Sequence, residues 1–462
     1  MLARKRLDGT LRLVARIDVA VSLAVFALFL LVTLTGPAHA MKIQSVKSPG
    51  GIEAWLVEDH SVPLLAMRFA FEGGSAQDPK GKEGVANFLT AMLDEGAGDL
   101  DATAFQERLE ELAVKMTFED SRDSFFGNFE TLSVNRDAAV GLLKLALGKP
   151  RFDAPAVERI RKQLLANLAY AEKSPDKVAS KEWYKVAFEG HPYARPVNGT
   201  PETLAGIAGA DLEAYRKRVF ARSNLKVVAV GDIDAATLGR LLDDVFGALP
   251  AKAELEPVER TSPLAGAKLK HFAMDVPQSV AVFGFGAMAR KDPDFMPAFV
   301  LNHIVGGGGF ASKLMEEVRE KRGLAYSVYS YIHPEIHASV LVGSVATKAE
   351  AIDQSLEVIR AELARMSEQG PSQEDLDNAK KYLVGSYALR FDTSAKIASQ
   401  LLGIMQEDLG IDYVERRNGL VEAVTLDDIK RVAKRLFKMG DLIVTVVGKP
   451  AAAPAAASSG RG

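Results

Sequence analysis

The chain has 462 residues, is 48% hydrophobic and 25% charged, carries a net charge of −3 and contains no cysteine. That composition is globular and too apolar for a disordered chain, and the length exceeds what one hydrophobic core supports, so at least two domains are expected. The lack of cysteine excludes disulfides, thiolate metal sites, iron–sulfur clusters and a cysteine nucleophile, and the small negative charge gives no electrostatic case for nucleic-acid binding.

Arg4, Lys5, Arg6, Arg12 and Arg16 precede an apolar run from Val19 to Leu34, which is followed by Pro37 and the triplet Ala38-His39-Ala40. A basic stretch, an apolar core and a small-x-small site describe a signal peptide over residues 1–40. The run is shorter than the roughly 20 residues a spanning helix needs. Export to a bacterial periplasm is the expectation, and an uncleaved membrane anchor is the other reading. The stretch LLAMRFAFE then reads as a strand leading into a helix near Gly84. Asp101 is placed to N-cap a helix over 101–112, and 154–173 is a long helix with Pro155 in its first turn. The segment 211–220 precedes the apolar strand LKVVAVG, which ends at Gly231. The stretch PAKAELEPVERTSPLAG, from Pro250, carries three prolines and little periodicity, and reads as an interdomain linker over 251–266.

Beyond the linker, SVAVFGFG reads as a strand before a helix near Asp294. The segments 349–369 and 372–389 are amphipathic helices joined by Gly370-Pro371. The segment 428–437 precedes the strand LIVTVVG, which ends at Gly448, and residues 450–462 are a low-complexity tail expected to be disordered. Asp211 and Asp428, Phe220 and Phe437, Gly231 and Gly448 all stand at one offset of 217 residues. Each Asp is a plausible N-cap. The expected architecture is α+β, with two duplicated halves, 41–250 and 267–449, each an antiparallel sheet with helices packed on it.

The segment Gly84-Val-Ala-Asn-Phe-Leu-Thr-Ala-Met-Leu resembles the zinc helix of the pitrilysin/insulinase peptidase superfamily, which includes the mitochondrial processing peptidase and reads Gly-Leu-Ala-His-Phe-Leu-Glu-His-Met-Leu. In that pattern two histidines at i and i+4 hold the metal from one helix face, and the glutamate deprotonates metal-bound water. Here Asn87 stands for the first histidine, Thr90 for the glutamate and Ala91 for the second histidine. The resemblance places the third ligand at Asn167, and a further acidic position of the family at Ile160. Asn, Thr, Ala and Asn do not make a zinc site. HPYARPVNGTPETLAGI (191–207) and Gly306-Gly-Gly-Gly with FASKLMEEVREKRGLAYSVYS extend the resemblance over nearly all of residues 41–449.

In the family an Arg and a Tyr seven residues apart, supplied by the second half, approach the scissile carbonyl and stabilise its oxyanion. The matching residues are Arg319 and Tyr326 in VREKRGLAY; Arg322 and Tyr329 share the spacing and remain the alternative. The resemblance therefore implies the zinc-less subunit of an exported heterodimeric endopeptidase, half of a clamshell. This chain would bind no metal, zinc would sit in a homologous partner subunit, and peptides or unfolded segments would be the substrates. Gly306, Gly307, Gly308 and Gly309 would allow close approach of a substrate backbone or form a tight turn. The alternative is a structural or peptide-binding pseudopeptidase with no catalytic contribution.

Other constellations carry less. His333-Pro-Glu-Ile-His337 is placed around a strand or turn, where residues four apart are ~13 Å apart, too far for one zinc unless Pro334 turns the chain. His60, His191, His271 and His303 are scattered. Gly284-Phe-Gly286-Ala-Met-Ala289 matches a degenerate dinucleotide fingerprint but lies late in a strand. Ser312-Lys313 lacks the supporting spacing of a serine hydrolase.

Overall fold

The computed structural model describes residues 41–449; the expected signal segment 1–40 and tail 450–462 lie outside the described residues. In the first half, β1 (Gln44–Lys47), β2 (Glu53–Glu58), β3 (Leu64–Glu72), β4 (Lys115–Asp120), β5 (Ser124–Leu132) and β6 (Leu225–Gly231) form a sheet in the order β1-β2-β6-β3-β5-β4. In the second, β7 (Lys268–Ala273), β8 (Gln278–Gly286), β9 (Ala325–Pro334), β10 (Ser339–Lys348) and β11 (Ile443–Gly448) form a sheet in the order β7-β11-β8-β10-β9. β2 runs parallel to β6 and β7 to β11; the other pairs are antiparallel. With β1 set aside the two orders correspond strand for strand, so the offset seen in sequence is a duplication of topology.

The duplication reaches individual contacts. Phe69 on β3 lies opposite Gly127 on β5, and Phe283 on β8 lies opposite Gly343 on β10. A Cβ on Gly127 would come within 2.0 Å of the Phe69 ring, and one on Gly343 within 2.3 Å of the Phe283 ring. Each ring occupies the space above its cross-strand glycine, which any larger residue would fill.

The landmark aspartates are corrected by one turn. The helices are Gly209–Val219 and Leu426–Leu436, so Asp211 and Asp428 are the third helical residues, not N-caps. Asp211 accepts from the Ala208 backbone N–H at 2.7 Å, and Asp428 from that of Thr425 at 3.0 Å, as the acidic arm of a capping box does. The 372–389 helix also ends early, at Gly385, and continues as a 3₁₀ turn over Tyr387–Phe391.

β11 is buried along its whole length and β6 at all but Lys226. Burial on both faces explains why these strands read as unbroken apolar runs. One face carries the helices of the strand's own half. The other is covered by a helix from the opposite half: Pro175–Ala187 lies across β8 and β11, and Ser394–Gln406 across β3 and β6. Trp183 is fully buried in the first of these contacts, packed among Val280, Val282, Val342 and Ile443, and its indole N–H donates to the Ile443 carbonyl at 3.1 Å. Through this exchange residues 44–449 form a single compact unit. The linker is docked into the junction: the Thr261 N–H donates to the His337 carbonyl and that of Leu264 to the Ala187 carbonyl, both at 2.8 Å. Among the described residues no helix is long and apolar enough to cross a membrane.

Candidate functional site

Helix Val85–Thr90 packs against β4 and the Gly209–Val219 helix. Val85, Ala86, Phe88 and Leu89 are buried in the core. That leaves Asn87, Thr90 and Ala91 on the half-buried face, where the i, i+3, i+4 spacing puts them side by side. Their hydrogen-bond donors are already committed to the protein. The Asn87 side-chain amide donates to Asp120 Oδ1 at 2.9 Å, the Thr90 hydroxyl donates to the Asn87 carbonyl at 2.7 Å, and Ala91 offers no donor atom. Asn167, on helix Ala154–Ala171, is exposed to solvent, whereas Ile160 of the same helix is buried in the core. No hydrogen bond joins Asn167 to Asn87 or Thr90. This donor set does not fit zinc, which takes imidazole, thiolate or carboxylate in tetrahedral array. Among the described residues no cluster of three or more His, Asp or Glu is arranged to hold a metal ion.

Beside these residues stands a carboxylate that motif reading missed. Asp120, the last residue of β4, is half-buried, its buried Oδ2 has no hydrogen-bond partner, and burial pushes its carboxyl up to about 6 against the opposing bond from Asn87. Asn87→Ala removes that bond. The Asp120 value is expected to rise further, at a stability cost of about 1–3 kcal/mol. Carboxyl-carbon NMR titration measures it, and an unchanged Asp120 value would contradict the assignment.

The second cluster lies in the other half. The chain leaves helix Phe295–Asn302 through a π-helical turn, His303–Gly307, and a second π-helical turn, Met315–Glu320, carries Arg319. Gly306 is buried, and a Cβ there would meet Ser330 Oγ at 2.3 Å, so it lets this turn close onto β9. Gly307 and Gly309 are exposed and Gly308 half-buried. Along β9, Val328 and Ser330 face inward while Tyr329, Tyr331 and His333 face out. Counting by twos from Val328 would bury Tyr326. Instead Ala346 pairs with Ser327 and Thr347 with Ala325, leaving Tyr326 as the extra residue of a β-bulge. The bulge re-aims it outward, where it is 79% exposed.

There the Arg319 guanidinium sits between two rings, 4.6 Å from the centre of Phe310 and 5.4 Å from that of Tyr326. Among the described residues no carboxylate lies within 4 Å of Arg319, so its donors are available. Arg322 is held by Glu317, with Nη1 2.6 Å from Oε2, and Tyr329 stacks on Tyr331. The structure thus brings Arg319 and Tyr326 together and does not bring Arg322 and Tyr329 together. An aromatic-flanked guanidinium beside a phenol can donate to a peptide carbonyl or its oxyanion.

His333 and His337 flank the tip of the β9–β10 hairpin, which is nailed to the first half. Asp123 Oδ2 accepts from the Ile336 N–H at 2.8 Å, the Tyr193 hydroxyl donates to Asp123 at 2.6 Å, and the His337 N–H donates to that hydroxyl at 3.0 Å. Between the histidines, the buried Glu335 carboxylate lies 3.5 Å from Arg122 Nη1, and its Oε2 lacks a partner. Burial pushes this carboxyl up to about 7, with Arg122 pulling the other way. The folded chain therefore keeps a proton that the unfolded chain releases between the ordinary value of 4.5 and about 7, and stability falls as pH rises through that window. Glu335→Gln is expected to flatten this fall, read from denaturant midpoints at pH 5 and pH 8. An unchanged pH dependence would contradict it.

The remaining candidates have structural occupations. His60 pairs with Asp232 at 2.6 Å, His191 Nε2 meets the Glu259 carbonyl at 3.0 Å, and His303 stacks on Tyr382. Lys313 pairs with Glu316 and Asp375. Gly284 makes room for Trp183, whose ring a Cβ would meet at 2.6 Å.

The chain is similar to known proteins over most of its length. Residues 55–201 match the family model "Insulinase (Peptidase family M16)", and residues 207–383 match "Peptidase M16 inactive domain". The chain is 28% identical to the non-peptidase homolog YmxG of Helicobacter pylori, over 84% of this chain and 90% of that protein. It is 22% identical to the mitochondrial-processing peptidase subunit beta of Lentinula edodes, over 82% and 84%. A crystal structure of a peptidase M16 inactive domain from Pseudomonas fluorescens superposes with a TM-score of 0.83 at 29% identity, covering 88% of this chain and 98% of that one. A Helicobacter pylori protease of known structure has the same fold, with a TM-score of 0.79 at 19% identity, covering 88% and 100%.

Proposed function

From the premise that the chain belongs to the insulinase (M16) peptidase family as an inactive member, we propose that it is the zinc-less subunit of an exported heterodimeric zinc endopeptidase. Its partner is a homologous subunit with an intact His-x-x-Glu-His helix. Arg319 and Tyr326 reach into the partner's site and hold the scissile carbonyl and its oxyanion, while Gly307, Gly308 and Gly309 let a substrate backbone pass close by. The observation that carries the reading is the pairing of opposites in one chain. Asn87, Thr90 and Ala91 do not make a zinc site, yet the half-buried Arg319 and the exposed Tyr326 stand adjacent, with no carboxylate within 4 Å of Arg319 among the described residues.

Substrates are peptides or unfolded segments, recognised largely through backbone bonds. The outer edges of β4 and β9 end their sheets and support such strand addition. The expected location is the periplasm, on the strength of the N-terminal pattern. Mixing the chain with a homologue bearing the intact motif is expected to give a 1:1 complex that cleaves unstructured peptides, whereas the chain alone does not. Failure to associate would overturn the reading. The name non-peptidase homolog of the Helicobacter pylori relative favours a second reading, a peptide-binding scaffold without a catalytic share. In that case the complex forms but Arg319 and Tyr326 do not affect turnover.

A further inference from the structure

The second half contains a cavity of about 260 Å³ bounded by helix Phe295–Asn302, the end of β9, the turn at Tyr387–Phe391 and helices Ser394–Gln406 and Tyr413–Glu422. Three arginines line it: Arg290, Arg390 and Arg417. Arg417 is 4% exposed. A buried guanidinium is ordinarily matched by a carboxylate, yet among the described residues none lies within 4 Å of Arg417. Its Nη1 donates to the Leu383 carbonyl at 2.7 Å and to Asn418 Oδ1 at 3.0 Å, and its plane rests 4.5 Å from the centre of the Tyr387 ring. Those contacts hold the group in place and leave its charge uncompensated. Arg390 is exposed at the mouth and likewise has no carboxylate within 4 Å among the described residues.

The one acidic group on the wall is a weak counter-charge. Glu407 Oε2 lies 2.9 Å from Arg290 Nε, off the line of a hydrogen bond, and burial pushes its carboxyl up to about 7. Arg290 also donates to the Tyr413 hydroxyl at 2.6 Å. Three guanidinium groups thus line a space holding the volume of roughly eight or nine waters, together with Ile332 and with Phe295 and Phe299, whose ring centres lie 4.3 Å from Arg290 and 5.6 Å from Arg417.

We propose that this cavity binds a small organic anion, its carboxylate or phosphate group seated among Arg290, Arg390 and Arg417 and its apolar part against Phe299 and Tyr387. Guanidinium forks match the geometry of both oxyanions, and a desolvated setting strengthens each charge-assisted bond. The space is of a size to take a small molecule of this kind. The site is separate from Arg319 and Tyr326, and it stands whether or not the chain serves a peptidase.

The test is calorimetric titration of the purified chain with inorganic phosphate and, separately, with benzoate, each against sodium chloride at equal ionic strength. Saturable one-to-one binding of either probe, weakened about tenfold or more in Arg390→Ala, supports the proposal; phosphate alone or benzoate alone identifies which oxyanion is preferred. Arg390 is exposed, so that variant keeps the fold. Arg417→Met, checked for folding by circular dichroism, is expected to abolish binding. No saturable binding of either probe, or equal affinity in Arg390→Ala, would overturn the proposal.

Discussion

In a complex with a zinc-bearing homologue, Arg319→Ala is expected to lower kcat by about 10²–10³-fold, the cost of losing one preorganised oxyanion donor. Tyr326→Phe removes a single hydroxyl and belongs at the lower end of that range. Both losses should fall mainly on kcat, because a donor aimed at developing charge stabilises the transition state more than bound substrate. The structure supplies the internal control. Arg322 has the same kind of side chain three residues away but is engaged by Glu317, with Nη1 2.8 Å from its carbonyl and 2.6 Å from its carboxylate. Arg322→Ala is expected to leave turnover within about twofold of the parent, as an exposed ion pair contributes little. Steady-state kinetics on an unstructured peptide decides the matter. Equal effects at Arg319 and Arg322 would mean the pair is not a positioned site.

Trp183→Ala is expected to destabilise the chain by about 3–5 kcal/mol. The indole is fully buried between the halves, and its removal leaves both a cavity and an Ile443 carbonyl without its donor. Trp183→Phe keeps most of the ring and loses the hydrogen bond, for about 1 kcal/mol from the bond itself. Because helix Pro175–Ala187 covers the other half's sheet, the alanine variant is also expected to uncouple the halves and broaden a single denaturation transition into two. Urea denaturation followed by circular dichroism measures both. A loss under about 1 kcal/mol with one sharp transition would show that the reciprocal helices are not what joins the halves.

Much of this arrangement is legible in the sequence, and the gaps have physical causes. LKVVAVG and LIVTVVG announce their burial because both faces of β6 and β11 are covered, which removes the polar alternation of a half-exposed strand. The landmarks at Asp211 and Asp428 identify the right helices but sit a turn inside them, because an acidic residue at the third helical position and one at the N-cap look alike until the preceding residue is placed. That helix Ser394–Gln406 covers the first half's sheet is not legible. An apolar face states that a helix packs and not against what.

The same limit governs the sites. Asn87, Thr90 and Ala91 are readable because they interrupt one helical turn. Their partner Asp120 lies 33 positions beyond Asn87, on a strand, and no spacing rule connects them. Tyr326 is on the exposed face only because a bulge breaks the two-residue period of β9. The arginines at 290, 390 and 417 come from three separate segments and meet only in the fold. The junction of Asp123, Tyr193 and Glu335 escaped notice for the same reason, and His333 and His337, which sequence reading singled out instead, are its neighbours.

Elemental analysis of the purified chain bears most directly on the lost metal site. Isolated without chelator and dialysed against metal-free buffer, the chain is expected to retain no stoichiometric zinc and to cleave no peptide by itself. One tightly held zinc per chain, released by replacing Asn87 or Asp120 with alanine, would contradict it.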